Sequence, residues 1–314
     1  MKRLILLPTR FIEQYGKGND CLGYMCLFEM IEKELGFKII FTNDANNIPS
    51  DTEIVLCAFR NHSFPNLGSL RKGIKLILHL SDIHALTGKW INEHLSVLER
   101  ADVILNSMDS LFKKQWPQYL DKLILFPQFF RPHCRYADLP YNENPIMKAL
   151  LTGSLTENYY PIRKHIKNLL IENRHLRNLM DVARHPWYPD QLPDEDWILE
   201  PVIGNEYAER LNQYFCCIAT PGNGLGVPAK YLEIPAAGSL LLGVQTDDLD
   251  TLGFVPYKHY VPIVKDKVFI QVRHVLSNAD NFEEIRMTGT AFVRANYSVN
   301  NRFEQLKNSL KSLC

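Results

Sequence analysis

From Arg3 to Phe126 the chain alternates short apolar runs with longer stretches whose apolar residues recur three and four apart. The runs Arg3–Leu7, Lys38–Thr42, Glu53–Ala58, Lys75–Leu80, Asp102–Asn106 and Lys122–Phe126 read as strands. Between them Cys21–Leu35, Trp90–Arg100 and Ser110–Gln115 have the period of helices packed along one face. The strand runs are continuously apolar, which predicts parallel strands covered on both sides. The fold class is therefore α/β.

A polar, proline-bearing passage from Arg131 to Pro145 interrupts the pattern and marks a linker. Alternation then restarts with strand Met147–Thr152, helices Ile162–Glu172 and Tyr207–Gln213, and strands Tyr214–Ala219 and Ser239–Gly243. Pro186–Pro201 reads as a loop, and Lys267–Cys314 as helix in two or three pieces. At 314 residues two cores are expected. The pattern predicts two doubly wound, Rossmann-like domains, 1–140 and 145–280, followed by a helical tail over 281–314. Ligands in such domains sit at the carboxyl ends of the strands.

Composition narrows the function classes. With 35 basic and 35 acidic residues the chain lacks the positive excess of a general nucleic-acid binder. No run approaches the roughly 18 apolar residues of a membrane span. The N-terminal apolar run stops at Pro8, too early for a signal-peptide core. Seven cysteines, an odd number set mostly in apolar runs, point to reduced core thiols and a cytoplasmic protein. No Cys/His spacing matches a metal site, and none is predicted.

The richest chemistry lies in PGNGLGVPAKYLEIPAAGSLLL, Pro221–Leu242. Gly222, Gly224 and Gly226 allow a ligand close to backbone. Pro228 suits a first helical turn, and a helix start fed by such a loop can receive an anion. Lys230 and Glu233, three apart, share one helix face. A cation for phosphate beside a carboxylate for sugar hydroxyls fits a nucleotide-sugar site. An ordinary loop–helix–strand unit with a surface ion pair would carry the same glycines. Gly153-Ser154 closes the first strand of the second domain, where a doubly wound fold opens its phosphate loop. In the first domain, His79, Asp82 and His84 sit at a strand end, where His84 or Asp82 could deprotonate an acceptor hydroxyl. A helix N-cap is the competing role for Asp82. Gly16-Lys17-Gly18-Asn19-Asp20 reads as an acceptor-side loop, and His185-Pro186-Trp187-Tyr188 as a packed loop or part of a base pocket.

Lys230, Glu233, the Ala236-Ala237-Gly238 turn, Asp247-Asp248 and the Leu252-Gly253-Phe254…His259-Tyr260-Val261 segment together resemble the C-terminal domain of GT-B glycosyltransferases. The match is nearest to the spore-maturation-protein (CgeB-like) group of the glycosyl transferases group 1 family. It covers roughly residues 145–312, with Tyr297 and Arg302 at the aromatic and basic positions of the closing helical segment. The resemblance implies a GT-B fold whose helices over 281–314 pack back toward the first domain, and metal-independent transfer of a sugar from a nucleotide-diphosphate-sugar donor, with no other cofactor. The acceptor would be a glycan, a lipid-linked molecule or a protein. Glu233 would accept from ribose hydroxyls, Lys230 would meet the diphosphate, and Arg163, in a Tyr-Pro-x-Arg run, would join it. Many retaining relatives carry a second glutamate eight positions earlier, where this chain has Leu225. A nucleotide-sugar epimerase of similar fold and a non-catalytic nucleotide- or glycan-binding protein are the alternatives.

Overall fold

The computed structural model describes residues 2–9, 21–59, 66–68, 70–80, 89–131, 134–156, 159–186, 192, 195–223 and 226–311. The chain packs as two units, Met1–Pro127 with Val299–Cys314, and Gln128–Ser298.

In the first unit the described strands are β1 (Lys2–Leu7), β2 (Phe37–Phe41), β3 (Thr52–Phe59), β4 (Lys75–Leu80), β5 (Val103–Asn106) and β6 (Leu123–Leu125). They form one parallel sheet in the order β2-β1-β3-β4-β5-β6. Helices α1 (Cys21–Leu35), α2 (Lys89–Arg100) and α3 (Asp109–Gln115) alternate with them. Leu4, Leu6, Val55, Leu76, Leu78 and Ile104 give the sheet one apolar face, on which Phe112 and Trp116 of α3 and the segment after it pack. The last helix of the chain, which ends the numbering at α10 (Val299–Lys311), belongs to this unit and lies against α1. Gln305 on it donates to the Leu125 carbonyl at 2.6 Å, capping an edge-strand acceptor.

The second unit holds β7 (Ile146–Leu151), α4 (Pro161–Glu172), β8 (Met180–Ala183), β9 (Ile198–Leu199), α5 (Gly204–Gln213) and β10 (Tyr214–Ala219). It continues through α6 (Lys230–Ala236), β11 (Leu240–Gly243), α7 (Asp247–Thr251), β12 (Val261–Pro262), α8 (Val268–Ser277) and α9 (Ala279–Asn296). Its parallel sheet runs β9-β8-β7-β10-β11-β12. Numbered within the unit, that is 3-2-1-4-5-6, the dinucleotide-fold order, whose switch point lies between β7 and β10. All six residues of β10 are buried, as a central strand covered on both faces requires.

The predicted linker divides differently. The boundary falls at Pro127/Gln128, ahead of the Arg131–Pro145 passage: Phe129 and Phe130 just before it, and Cys134 and Tyr136 within it, are core residues. Phe130 N–H also donates to the Tyr297 carbonyl at 3.2 Å. Likewise α9 stays with the second unit, and only the chain from Val299 onward joins the first. Arg286 fixes α9 there: its buried guanidinium donates to Gly238 O at 2.7 Å and Asn142 O at 2.9 Å.

Candidate active site

The switch point is where the second unit gathers its polar groups. Strand β7 ends at Leu151, and the chain turns through Thr152, Gly153 and Ser154. Gly153 has φ +100°, a conformation that an L side chain rarely adopts. A Cβ there would also lie 2.6 Å from Arg163 Nη1 and 2.6 Å from Lys230 Cε. The glycine is therefore the floor on which both cations rest.

Arg163, in the first turn of α4, is only 2% exposed. It donates from Nε to Thr220 Oγ1 (3.1 Å), from Nη2 to Thr220 O (3.0 Å) and from Nη1 to Ser154 O (3.3 Å). The Tyr160 ring covers it, with Cζ 4.0 Å from the centroid. Burial lowers its pKa from the ordinary arginine value, yet a guanidinium keeps its charge in proteins. One side chain thus ties the carboxyl end of β7 to that of β10. The Ser154 hydroxyl lies 2.8 Å from Thr156 Oγ1, so it also serves the turn.

Lys230, the first residue of α6, is half-buried and donates to the Tyr207 hydroxyl at 2.6 Å. Its Nζ also sits 4.7 Å from the Tyr207 ring centroid. Tyr207 comes from α5, and its hydroxyl lies 2.9 Å from Thr152 Oγ1. Pro228 lies two residues ahead of the helix rather than in its first turn, because Ala229 is the N-cap, and its carbonyl accepts from Tyr231 N–H at 3.0 Å. Gly238, at φ +89°, ends it.

Glu233 departs from expectation. One turn beyond Lys230, it points inward and is 1% exposed. Its Oε1 lies 3.2 Å from Arg131 Nε, close enough for charge attraction but without a hydrogen bond. The Tyr136 hydroxyl, buried and also without a hydrogen-bond partner among the described residues, is pushed well above the ordinary tyrosine pKa by burial and by the Glu233 charge. The two helix residues therefore part: Lys230 joins Gly153 and Arg163, and Glu233 is sealed beside Arg131. Apolar packing of Tyr231, Leu232 and Ile234 around it explains why the short helix is buried on nearly every side.

Gly222 is half-buried in the loop after β10, and the next amide, that of Asn223, is taken by the Tyr159 carbonyl at 3.0 Å. Gly224 and Leu225 lie outside the described residues, as do Asp82, His84, the Gly16–Asp20 loop, Trp187 and Tyr188. His79 is described and is a core residue of β4, in ring contact with Tyr24, Phe28 and Phe126. The His259 segment also serves packing: its ring stacks on Phe292, centroids 4.1 Å apart, and Nδ1 accepts from Val255 N–H at 3.1 Å. Tyr297 and Arg302 are each buried, Tyr297 donating to Leu252 O and Arg302 to Gln305 Oε1.

Thr152, Thr220, Tyr207 and Arg131 were not singled out by sequence. The two threonines did leave a signal: each is the polar residue that directly follows a buried parallel strand. Tyr207 left none, since an aromatic in the first turns of an amphipathic helix reads as core.

Residues 172–308 match the model of a family described as glycosyl transferase-like. That span contains Tyr207, Lys230 and Glu233. No curated protein matches the chain. Among solved structures it is similar to sucrose-phosphate synthase from Thermosynechococcus elongatus, at TM-score 0.69 and 10% identity over 100% of this chain and 99% of that one. A glycosyltransferase from Rickettsia africae ESF-5 superposes at TM-score 0.63 with 12% identity, covering 99% and 98%. An alpha-glucosyltransferase solved with UDP gives TM-score 0.55 and 11% identity, covering 99% and 100%. At such identities these structures establish the fold. A segment of the second unit and of the last helix thus matches a glycosyl transferase-like family, and the whole chain has the GT-B fold of these structures.

Proposed function

We propose that the chain transfers a sugar from a nucleotide-diphosphate-sugar donor to an acceptor hydroxyl, with the donor held by the second unit. The observation that carries this reading is the convergence of Lys230 and buried Arg163 on a positive-φ glycine at the switch point of a 3-2-1-4-5-6 sheet. Lys230 presents its remaining ammonium hydrogens to the diphosphate, stabilising negative charge as the leaving group departs. Arg163 spends three of its donors on Ser154 and Thr220, so its main part is to hold the loop open beneath the phosphates. The ribose role of Glu233 requires its carboxylate to be uncovered on binding, and its Oε1 is an acceptor still lacking a hydrogen bond.

Transfer proceeds without a metal in this reading, with Lys230 as the compensating charge. On sequence grounds the catalytic base is Asp82 or His84. The Lys230–Val261 run resembles the CgeB-like group most, and we infer that kinship from it. The cytoplasm is the compartment proposed: Cys57, Cys216 and Cys217 are buried free thiols, and no helix among the described residues is long and apolar enough to cross a membrane.

The test is a panel of nucleotide-sugars, led by UDP-sugars because a glucosyltransferase of this fold was solved with UDP. Nucleoside diphosphate released together with glycosylated acceptor supports transfer. Conversion of the donor to an isomer without acceptor would make it an epimerase. Binding without turnover across acceptors would leave a nucleotide-binding protein.

A further inference from the structure

We propose that Tyr207 is the positioning residue of the donor site: its hydroxyl, backed by Thr152, fixes the Lys230 ammonium over Gly153. The proposal rests on the donor-site reading above and adds to it the device that aims the cation.

Lysine is a compact charge on a flexible stem, and holding it in one place is costly unless the protein has done so in advance. Here Nζ lies 2.6 Å from the Tyr207 hydroxyl and 4.7 Å from the ring centroid, so one side chain supplies both an acceptor and a π face. An ammonium has donors and no lone pair, so the phenol oxygen must accept from it. The simplest arrangement then sends the phenol proton to Thr152 Oγ1, 2.9 Å away. Tyr207 and Thr152 are both buried, which removes competing water from the chain of contacts. Its two ends are the residue before Gly153 and the first residue of α6. The relay therefore sets the distance between the phosphate loop and the cation, and leaves two ammonium hydrogens for a ligand.

Tyr207→Phe keeps the ring and deletes the hydroxyl, and Thr152→Val interrupts the same chain from its other end. Two readouts separate the possibilities. The first needs no nucleotide: the rate at which acetic anhydride labels Lys230 at pH 8, followed by peptide mass spectrometry. It should rise several-fold in Tyr207→Phe, and in the same direction in Thr152→Val. The second is calorimetric affinity for UDP, GDP, ADP and CDP. The nucleotide that binds wild type should bind Tyr207→Phe about tenfold more weakly, the loss of one hydrogen bond to a charged group. In a Lys230→Ala background the Tyr207 substitution should add nothing. Unchanged labelling in both variants overturns the proposal whatever the nucleotide does. Lost affinity in Lys230→Ala with unchanged affinity in Tyr207→Phe removes the positioning role and leaves the donor site standing. Faster labelling with wild-type affinity in every variant refutes the donor-site reading, and the role of Tyr207 in it.

Discussion

Replacing Gly153 with alanine separates what the switch-point loop does for folding from what it does for binding. The backbone term comes from φ +100°, where an L residue costs about 1–2 kcal/mol. The new methyl would then overlap Arg163 Nη1 and Lys230 Cε, both at 2.6 Å. Lys230 Cε lies on a flexible stem and can move aside, whereas Arg163 is buried and held by Ser154 and Thr220, so moving it weakens those hydrogen bonds. Stability therefore falls by more than the backbone term, which alone lowers the melting of a unit of this size by roughly 2–8 °C. Binding pays more heavily, because both cations leave their places. One lost charge-assisted contact costs roughly 1.5–3 kcal/mol, so nucleoside diphosphate affinity should drop between about 10- and 150-fold. Gly204→Ala is the control: it lies in the same unit at φ +62° with nothing within 4 Å of the added methyl. Differential scanning fluorimetry should show the larger loss for Gly153→Ala, and calorimetry should show weakened binding only for that variant. Equal affinity in both would refute the placement of the cations over that glycine.

Other expectations follow from the same packing. Arg163→Met leaves Ser154 O and both Thr220 acceptors without their donor and should cost about 3 kcal/mol or more in urea unfolding, with Arg163→Lys failing to rescue because it lacks the planar fork. Gly289→Ala places a methyl 2.3 Å from the His259 carbonyl oxygen, backbone that has little room to give, so thermal unfolding should show a loss at the upper end of about 1–3 kcal/mol. Burial, with Lys258 nearby, holds the His259 imidazole below the usual histidine range. Its contribution is thus full above pH ~6.5 and is lost as pH falls through that value toward the folded pKa, so urea midpoints should decline between pH 7.5 and 5.5, less so in His259→Gln. His84→Ala or Asp82→Asn should lower turnover by about 10²–10⁴-fold while nucleoside diphosphate binding persists.

Elements with an unbroken signal were legible in the sequence. Cys21–Leu35 and Tyr214–Ala219 have the bounds the pattern predicts, because helical spacing and six consecutive buried residues leave no competing reading. Three strands of the second unit escaped notice. In β8 the apolar run is broken by Asp181, which the fold satisfies across the sheet with Lys148 and Tyr214, each at 2.7 Å. Strands β9 and β12 are two residues long, and β12 ends in a proline tolerated at a sheet edge. The site was half legible. Gly153, Arg163 and Lys230 were named from strand ends, glycines and family likeness, and the structure gathers them. The inward turn of Glu233 was not visible, since spacing gives a helix face but not what packs upon it. Arg131 lay in a passage whose polarity marked it as linker, although its aromatic neighbours are core.

The central claim, that the second unit holds a nucleotide diphosphate at the Gly153 loop against Lys230, is tested most directly by titrating the purified protein with UDP, GDP, ADP and CDP in the calorimeter, beside Lys230→Ala. The account predicts selective binding of one nucleotide by wild type and a loss of about tenfold or more in the variant. Absence of binding by all four, or equal affinity in Lys230→Ala, would contradict it.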